Sequence, residues 1–307
     1  MMFVGSKAKM SEVLFGIFIL LFLFIAVAGQ YNLPQSDECG TLNTEYYYNQ
    51  KNLTEIGEFP WMGRVLYKKT DVLTVFKCNA ILINKWYLLL NPKCFSWKNL
   101  IPISVILGDW YQGNSIQQSD CDDRGRCAPV PKTIKIEEMI IHPNYSSESK
   151  KNNIAMVRLS EPVTYSDFIR PICLPSKDIE HMNFDNQLLE ETGWYWNISL
   201  GLTLAKSYAR IINLNTCELK LMKFYKVDKE NSLCALSCWG NSGFSIGAIL
   251  MGTTVVGEEP VNYYLIGMSV YGDCQFGFPD VYSRIDRYLD WIYEKTNSEV
   301  SMLEPRK

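Results

Sequence analysis

Apolar residues fall along this chain in three patterns. The first is an unbroken run from Val13 to Ala28. The second is a series of short β-branched and aromatic runs, Trp86-Tyr-Leu-Leu-Leu90 and Ile134-Lys-Ile136 among them, separated by Gly, Pro and Asn turns from Glu58 to about Tyr165. The same style returns from about Asn183 to Tyr282, with Ile211-Ile-Asn-Leu214 and Tyr263-Tyr-Leu-Ile-Gly267 as its clearest strands. Runs this short, at this spacing, predict an all-β chain folded into two antiparallel barrels. The third pattern comes near the C-terminus, where Ile285, Tyr288, Leu289 and Ile292 stand at helical spacing. A final helix over about 284–296 can therefore bury one face and leave Arg287, Asp290 and Glu294 in water.

Lys7 and Lys9 precede the first run and Ala26-Val-Ala28 closes it, so residues 1–29 read as a secretory signal with a small-residue cleavage site. The run is slightly long for a signal and slightly short of the ~20 residues a spanning helix needs, which leaves an uncleaved anchor as the alternative. Residues 30–53 form a polar, tyrosine-rich extension, 54–296 the folded domain, and 297–307 a tail. Asn52, Asn144 and Asn197 head glycosylation sequons, which suit an extracellular chain. With 30 basic against 33 acidic residues the net charge is −3, too small to suggest nucleic acid or an anionic membrane as partner. The 10 cysteines are an even number bound for an oxidising compartment, and no C-x-x-C spacing occurs, so neither metal, redox centre nor other cofactor is expected.

Several motifs stand in a fixed order. Cys78-Asn-Ala-Ile-Leu-Ile-Asn-Lys-Trp-Tyr-Leu-Leu-Leu-Asn-Pro-Lys-Cys94 resembles C-G-G-S-L-I-x-x-x-W-V-L-T-A-A-H-C, and Asn152-Asn-Ile-Ala-Met-Val-Arg-Leu159 resembles N-D-I-A-L-L-R-L. Cys238-Trp-Gly-Asn-Ser-Gly-Phe-Ser-Ile246 is similar to C-x-G-D-S-G-G-P-L. Gly57-Glu-Phe-Pro-Trp61, Leu107-Gly-Asp109, Arg170-Pro-Ile-Cys-Leu-Pro175, Thr192-Gly-Trp194 and Pro279-Asp-Val-Tyr-Ser-Arg284 complete the series. Together they resemble the chymotrypsin-like (trypsin-like, S1) serine proteases from about Cys39 to Ile292. The resemblance implies two six-stranded antiparallel barrels, one over about 54–165 and one over about 183–283, with a C-terminal helix. It further implies the pairs Cys39–Cys173, Cys78–Cys94, Cys217–Cys234 and Cys238–Cys274. Cys121 and Cys127 close a short loop like an insertion of arthropod members. The extension has too few cysteines for the clip module that many of those carry.

The resemblance places Lys93 where the family keeps its general-base histidine, Asn153 at the orienting aspartate and Ser242 at the nucleophile. A serine hydroxyl needs a base with a pKa near physiological pH, which histidine supplies. The only histidines are His142, in a turn-like His-Pro-Asn-Tyr145, and His181, in a linker; neither reads as a replacement. Lys93 would serve only if buried in apolar surroundings, since an ordinary lysine has a pKa near ~10.4. Activation is altered as well. The stretch Tyr46-Tyr-Tyr-Asn-Gln-Lys-Asn-Leu53 stands where the family has a basic residue and Ile-Val-Gly-Gly, and Asn241 replaces the aspartate that receives the freed terminus. Gly240 and Ser242 keep the backbone donors of an oxyanion hole.

Along the groove, Phe244 and Ser245 depart from the family's Gly-Pro, and Leu236 lies at the base of the primary pocket. Val270, Tyr271 and Gly272 stand for its Ser-Trp-Gly strand, and Asp280 replaces a wall glycine. Asp280 is either an acidic receptor for a basic side chain or a pocket-filling carboxylate. The aromatic cluster Trp194-Tyr-Trp196 is either core packing or a recognition surface. The chain is thus expected to be a secreted, catalytically inactive protease homologue that binds a secreted protein, an active protease or its substrate, with no membrane attachment once the signal is removed. Such homologues serve immune and melanisation cascades, reproductive secretions and venom. The competing expectations are a weak serine hydrolase using Ser242 with Lys93, and an anchored receptor built on the same domain.

Overall fold

Two closed antiparallel barrels of six strands each carry the chain. The computed structural model describes residues 33–49, 51–69, 73–111, 116–177, 179, 182–197, 201–221, 227–236, 244–272 and 277–297. Barrel one consists of β1 (Met62–Lys69), β2 (Leu73–Leu82), β3 (Tyr87–Leu90), β4 (Ile101–Leu107), β5 (Lys132–Ile141) and β6 (Ala155–Leu159), closed in the order β1-β2-β3-β6-β5-β4. Barrel two consists of β7 (Leu188–Asn197), β8 (Gly201–Ile212), β9 (Ser232–Leu236), β10 (Ile249–Val256), β11 (Glu259–Tyr271) and β12 (Asp280–Arg284), in the order β10-β11-β12-β9-β8-β7. Closure pairs each strand with two neighbours, and the part of β8 that β9 does not reach is bridged at Thr203 and Ala205 by Tyr111 and Leu53 from outside the sheet.

Strand periodicity sets what is inside. In barrel two, Leu189, Ala209, Ile211, Leu233, Ala235, Leu250, Ile266 and Tyr282 form one buried cluster with Phe184. Each buried leucine or isoleucine there contributes ~1.5–3 kcal/mol relative to exposure. The strand read as Ile211–Leu214 ends early. The Asn213 side chain accepts from Thr216 N at 2.8 Å and caps a short helix α2 (Leu214–Lys220), so local capping overrides the apolar run. The terminal helical signal resolves into a 3-10 turn, Ile285–Tyr288, followed by α3 (Leu289–Asn297), with Asp290 and Glu294 exposed.

The implied disulfides Cys39–Cys173, Cys78–Cys94, Cys121–Cys127 and Cys217–Cys234 are formed. Cys238 and Cys274 lie outside the described residues. Before β1 the chain is a strap laid on the outer face of barrel two. The Asn43 side chain caps the single turn α1 (Thr44–Tyr47). Leu53 then bridges Ala205 of β8, Lys206 N donates to the Asn52 carbonyl at 2.8 Å, and Thr54 Oγ1 donates to the Leu204 carbonyl at 2.9 Å. Arg126, in the loop closed by Cys121 and Cys127, grips the strap from barrel one. It donates to Tyr46 Oη at 2.8 Å, pairs with Glu55, and is steadied by Asp122 at 2.6 Å. Burial alone would raise Glu55, but hydrogen bonds from Arg126 and Lys51 outweigh it and hold the carboxyl below its ordinary value.

Candidate functional site

The groove between the barrels is built on buried polar joints that the motif comparison passed over. Asn79, on β2 beside Cys78, is fully buried and reaches across to barrel two. Its Nδ2 donates to the carbonyls of Ser245 at 2.8 Å and Ile246 at 3.1 Å, and its Oδ1 accepts from Trp194 N at 2.9 Å. Asn91 has two tasks. Its Oδ1 caps the 3-10 turn Pro92–Phe95 through Lys93 N at 2.9 Å, and its Nδ2 donates to the Ser269 carbonyl on β11 at 2.9 Å. Ser283 on β12 returns the connection, Oγ donating to the Asn153 carbonyl at 2.9 Å. Each such bond contributes ~1 kcal/mol net, and an unpaired partner would cost more. A sequence signal existed: Asn79 and Asn91 stand where the resembled motif has glycine and alanine.

A buried cation lies beneath. Arg64 of β1 pairs with Asp109, and its guanidinium stacks 4.4 Å from the Trp194 ring centre. Burial pushes Arg64 down to about 9, against the pull of Asp120. Trp194 is therefore packed inside. Its neighbour Tyr195 is half-buried and meets the Phe244 ring edge-on at 6.3 Å. Trp196 lies on β7, and its side chain is outside the description.

The positions singled out for chemistry look different from these joints. Lys93 lies in the 3-10 turn that the Cys78–Cys94 bridge closes, and its side chain is exposed. It lacks the apolar enclosure a lysine base requires. Asn153 is 3% exposed, and its Oδ1 has no hydrogen bond among the described residues. An amide there supplies no negative charge to steady an imidazolium. Gly240, Asn241 and Ser242 lie outside the described residues, as does His181. His142 is half-buried against Tyr288, ring centres 5.7 Å apart, and burial lowers its pKa.

The pocket residues converge at the ends of β9, β11 and β12. Asp280 pairs with Ala235, and Tyr271 with Val281. Leu236 is 38% exposed, Val270 is buried and Tyr271 is half-buried. The Asp280 Oδ1 occupies the space where a Cβ on Gly272 would sit, so only glycine tolerates that carboxylate at 272. Of the sequons, Asn52 and Asn144 are exposed, and Asn197 ends β7 without a described side chain.

This arrangement of barrels, bridges and groove can be placed among known proteins. The sequence profile of the family described as Trypsin matches residues 49–292. The chain belongs to the trypsin family. Among its trypsin-family relatives, the Spaetzle-processing enzyme of Drosophila melanogaster is 32% identical over 86% of this chain and 69% of that protein. Phenoloxidase-activating factor 3 of Holotrichia diomphalia is 30% identical over 85% of this chain and 75% of its own length. Among solved structures, the Drosophila Grass clip serine protease of the Toll pathway superposes with a TM-score of 0.71 at 21% identity, covering 85% of this chain and 75% of that one. That likeness establishes the trypsin fold.

Proposed function

We propose that this chain is a secreted, non-catalytic member of the trypsin family that works by holding a protein of a protease cascade, either an active protease or its substrate. The observation that carries the reading is the pair Lys93 and Asn153. The family's general-base position holds an exposed lysine, and its orienting position holds a buried, uncharged amide. Neither can accept the proton of a serine hydroxyl in the way an aspartate-backed histidine does. The strap supports it too. The stretch from Tyr46 to Leu53, where the family is cleaved for activation, is tied into the outer face of barrel two and has no basic residue before an Ile-Val-Gly-Gly sequence.

The proposed role as a cascade component is supported by relatives named for processing Spaetzle and activating phenoloxidase. A rigid double barrel presents groove loops irrespective of chemistry, and recognition resides on such loops. Surface binding to the activated forms of those two relatives, and to their protein substrates, tests the proposal. Saturable binding to one of them should survive Ser242→Ala and weaken at least tenfold with Tyr271→Ala. No saturable binding to any, or binding lost with Ser242→Ala alone, contradicts it.

A further inference from the structure

On the outer face of barrel two, under the strap, lies a group of charges that neither catalysis nor the groove uses. Glu190 of β7 and Lys206 of β8 point outward from the sheet, and Glu58, at the end of the strap, closes over them. Their side chains are only 5%, 2% and 3% exposed. Lys206 Nζ contacts Glu58 Oε1, lies 3.8 Å from Glu190 Oε1, and donates to the Tyr46 carbonyl at 2.9 Å. The ammonium is thus the rivet that fixes α1 to the barrel. Glu58 Oε2 accepts from Glu55 N at 2.8 Å. Glu190 Oε2 accepts from Tyr263 Oη on β11 at 2.7 Å, while its Oε1 makes no hydrogen bond among the described residues.

The charge count is uneven. Two carboxylates share one ammonium, and among the described residues the other titratable side chains facing them are the phenols Tyr47, Tyr208 and Tyr263. Glu191, next along β7, turns into the barrel toward Ser207 and Tyr282. With both carboxylates ionised, the cluster holds an uncompensated buried negative charge, which is costly; one proton removes it.

We propose that Glu58, Lys206 and Glu190 form a proton-operated clasp, which takes up a single proton shared by the two carboxylates and grips the strap more firmly with that proton than without it. Losing the proton sets Glu58 against Glu190 and draws Lys206 between two full charges and the Tyr46 carbonyl. The end of the strap carrying Glu58 then moves outward. The direction of the titration agrees: burial raises both carboxyls, Glu58 to about 7.

Two measurements on the intact chain test it. The first is hydrogen exchange of strap residues 44–58, corrected for the intrinsic pH dependence of exchange. Between pH 5.5 and pH 8.5 the protection of strap amides should fall about tenfold, the equivalent of roughly one unit of proton linkage. In Glu190→Gln it should hardly change. Strap protection independent of pH, or the same fall in Glu190→Gln, overturns the proposal. The second needs no variant: among carboxyl carbon signals of the labelled protein, at least one glutamate should titrate above pH 6. If every glutamate titrates below about pH 5, near the ordinary range, the clasp does not exist.

Discussion

Asn79 and Asn153 are both buried side-chain amides at the junction of the barrels, yet they are used in opposite ways. Asn79 engages three partners on barrel two. The Asn153 Oδ1 has none among the described residues, although the backbone carbonyl of the same residue accepts from Ser283 Oγ. Asn91 sides with Asn79, capping one turn and reaching across to Ser269, whereas Lys93, two residues on, is exposed. Within one groove, then, Asn79 and Asn91, which align the barrels, are paired, whereas the two groups proposed to stand at the family's proton-transfer positions are an uncharged amide and an exposed lysine. Most buried polar groups in a fold are satisfied, so the unpaired Oδ1 of Asn153 stands out beside Asn79. The difference separates what the scaffold needs from what catalysis would need.

The sharpest way to break that comparison is to truncate both asparagines. Asn79→Ala strips the Ser245 carbonyl and the Trp194 amide of their side-chain partner, while the Ile246 carbonyl keeps the bond from Asn79 N at 2.9 Å, and it should cost about 3 kcal/mol in urea unfolding. Asn153→Ala should cost at most about 1 kcal/mol, because no described side-chain hydrogen bond is lost. Equal losses would erase the distinction.

A pH series is expected to have an effect of intermediate size. Glu58 has a folded pKa of about 7 against an ordinary value of 4.5. Being raised, it contributes stability that is complete below the lower value and lost as pH rises through the upper one. Tm should therefore fall by on the order of 5 °C between pH 5 and pH 8, and Glu58→Gln should flatten the fall. Scanning calorimetry of the two proteins checks both statements. The smallest expected effect is at Lys93. Lys93→Ala should change unfolding free energy by less than about 0.5 kcal/mol, as for an exposed side chain without a structural task.

Much of this was legible in the chain itself. The two sets of short apolar runs and the turn residues between them point to the barrels, because strand period is a local property, whereas the pairing of the four bridges was legible only through the family resemblance that the ordered motifs carry. The joints were harder to read. Asn79 and Asn91 are visible only as departures from a motif, and their partners Ser245, Ile246, Trp194 and Ser269 lie far away in sequence. The strap was legible as a polar appendage, not as a covering for Lys206, since nothing local to Tyr46 indicates a buried ammonium 160 residues later. Asp280 was readable in two ways, and its carboxylate lies against Gly272, in the space that glycine leaves open.

The central claim is that this trypsin-family groove lacks a working nucleophile. The most direct measurement is labelling of the purified native protein with a fluorophosphonate reporter, which reacts with an activated serine, beside its Ser242→Ala variant. The account predicts no labelling above that of the variant at neutral pH, even after prolonged incubation. Labelling that approaches one reporter per chain and disappears with Ser242→Ala would contradict it.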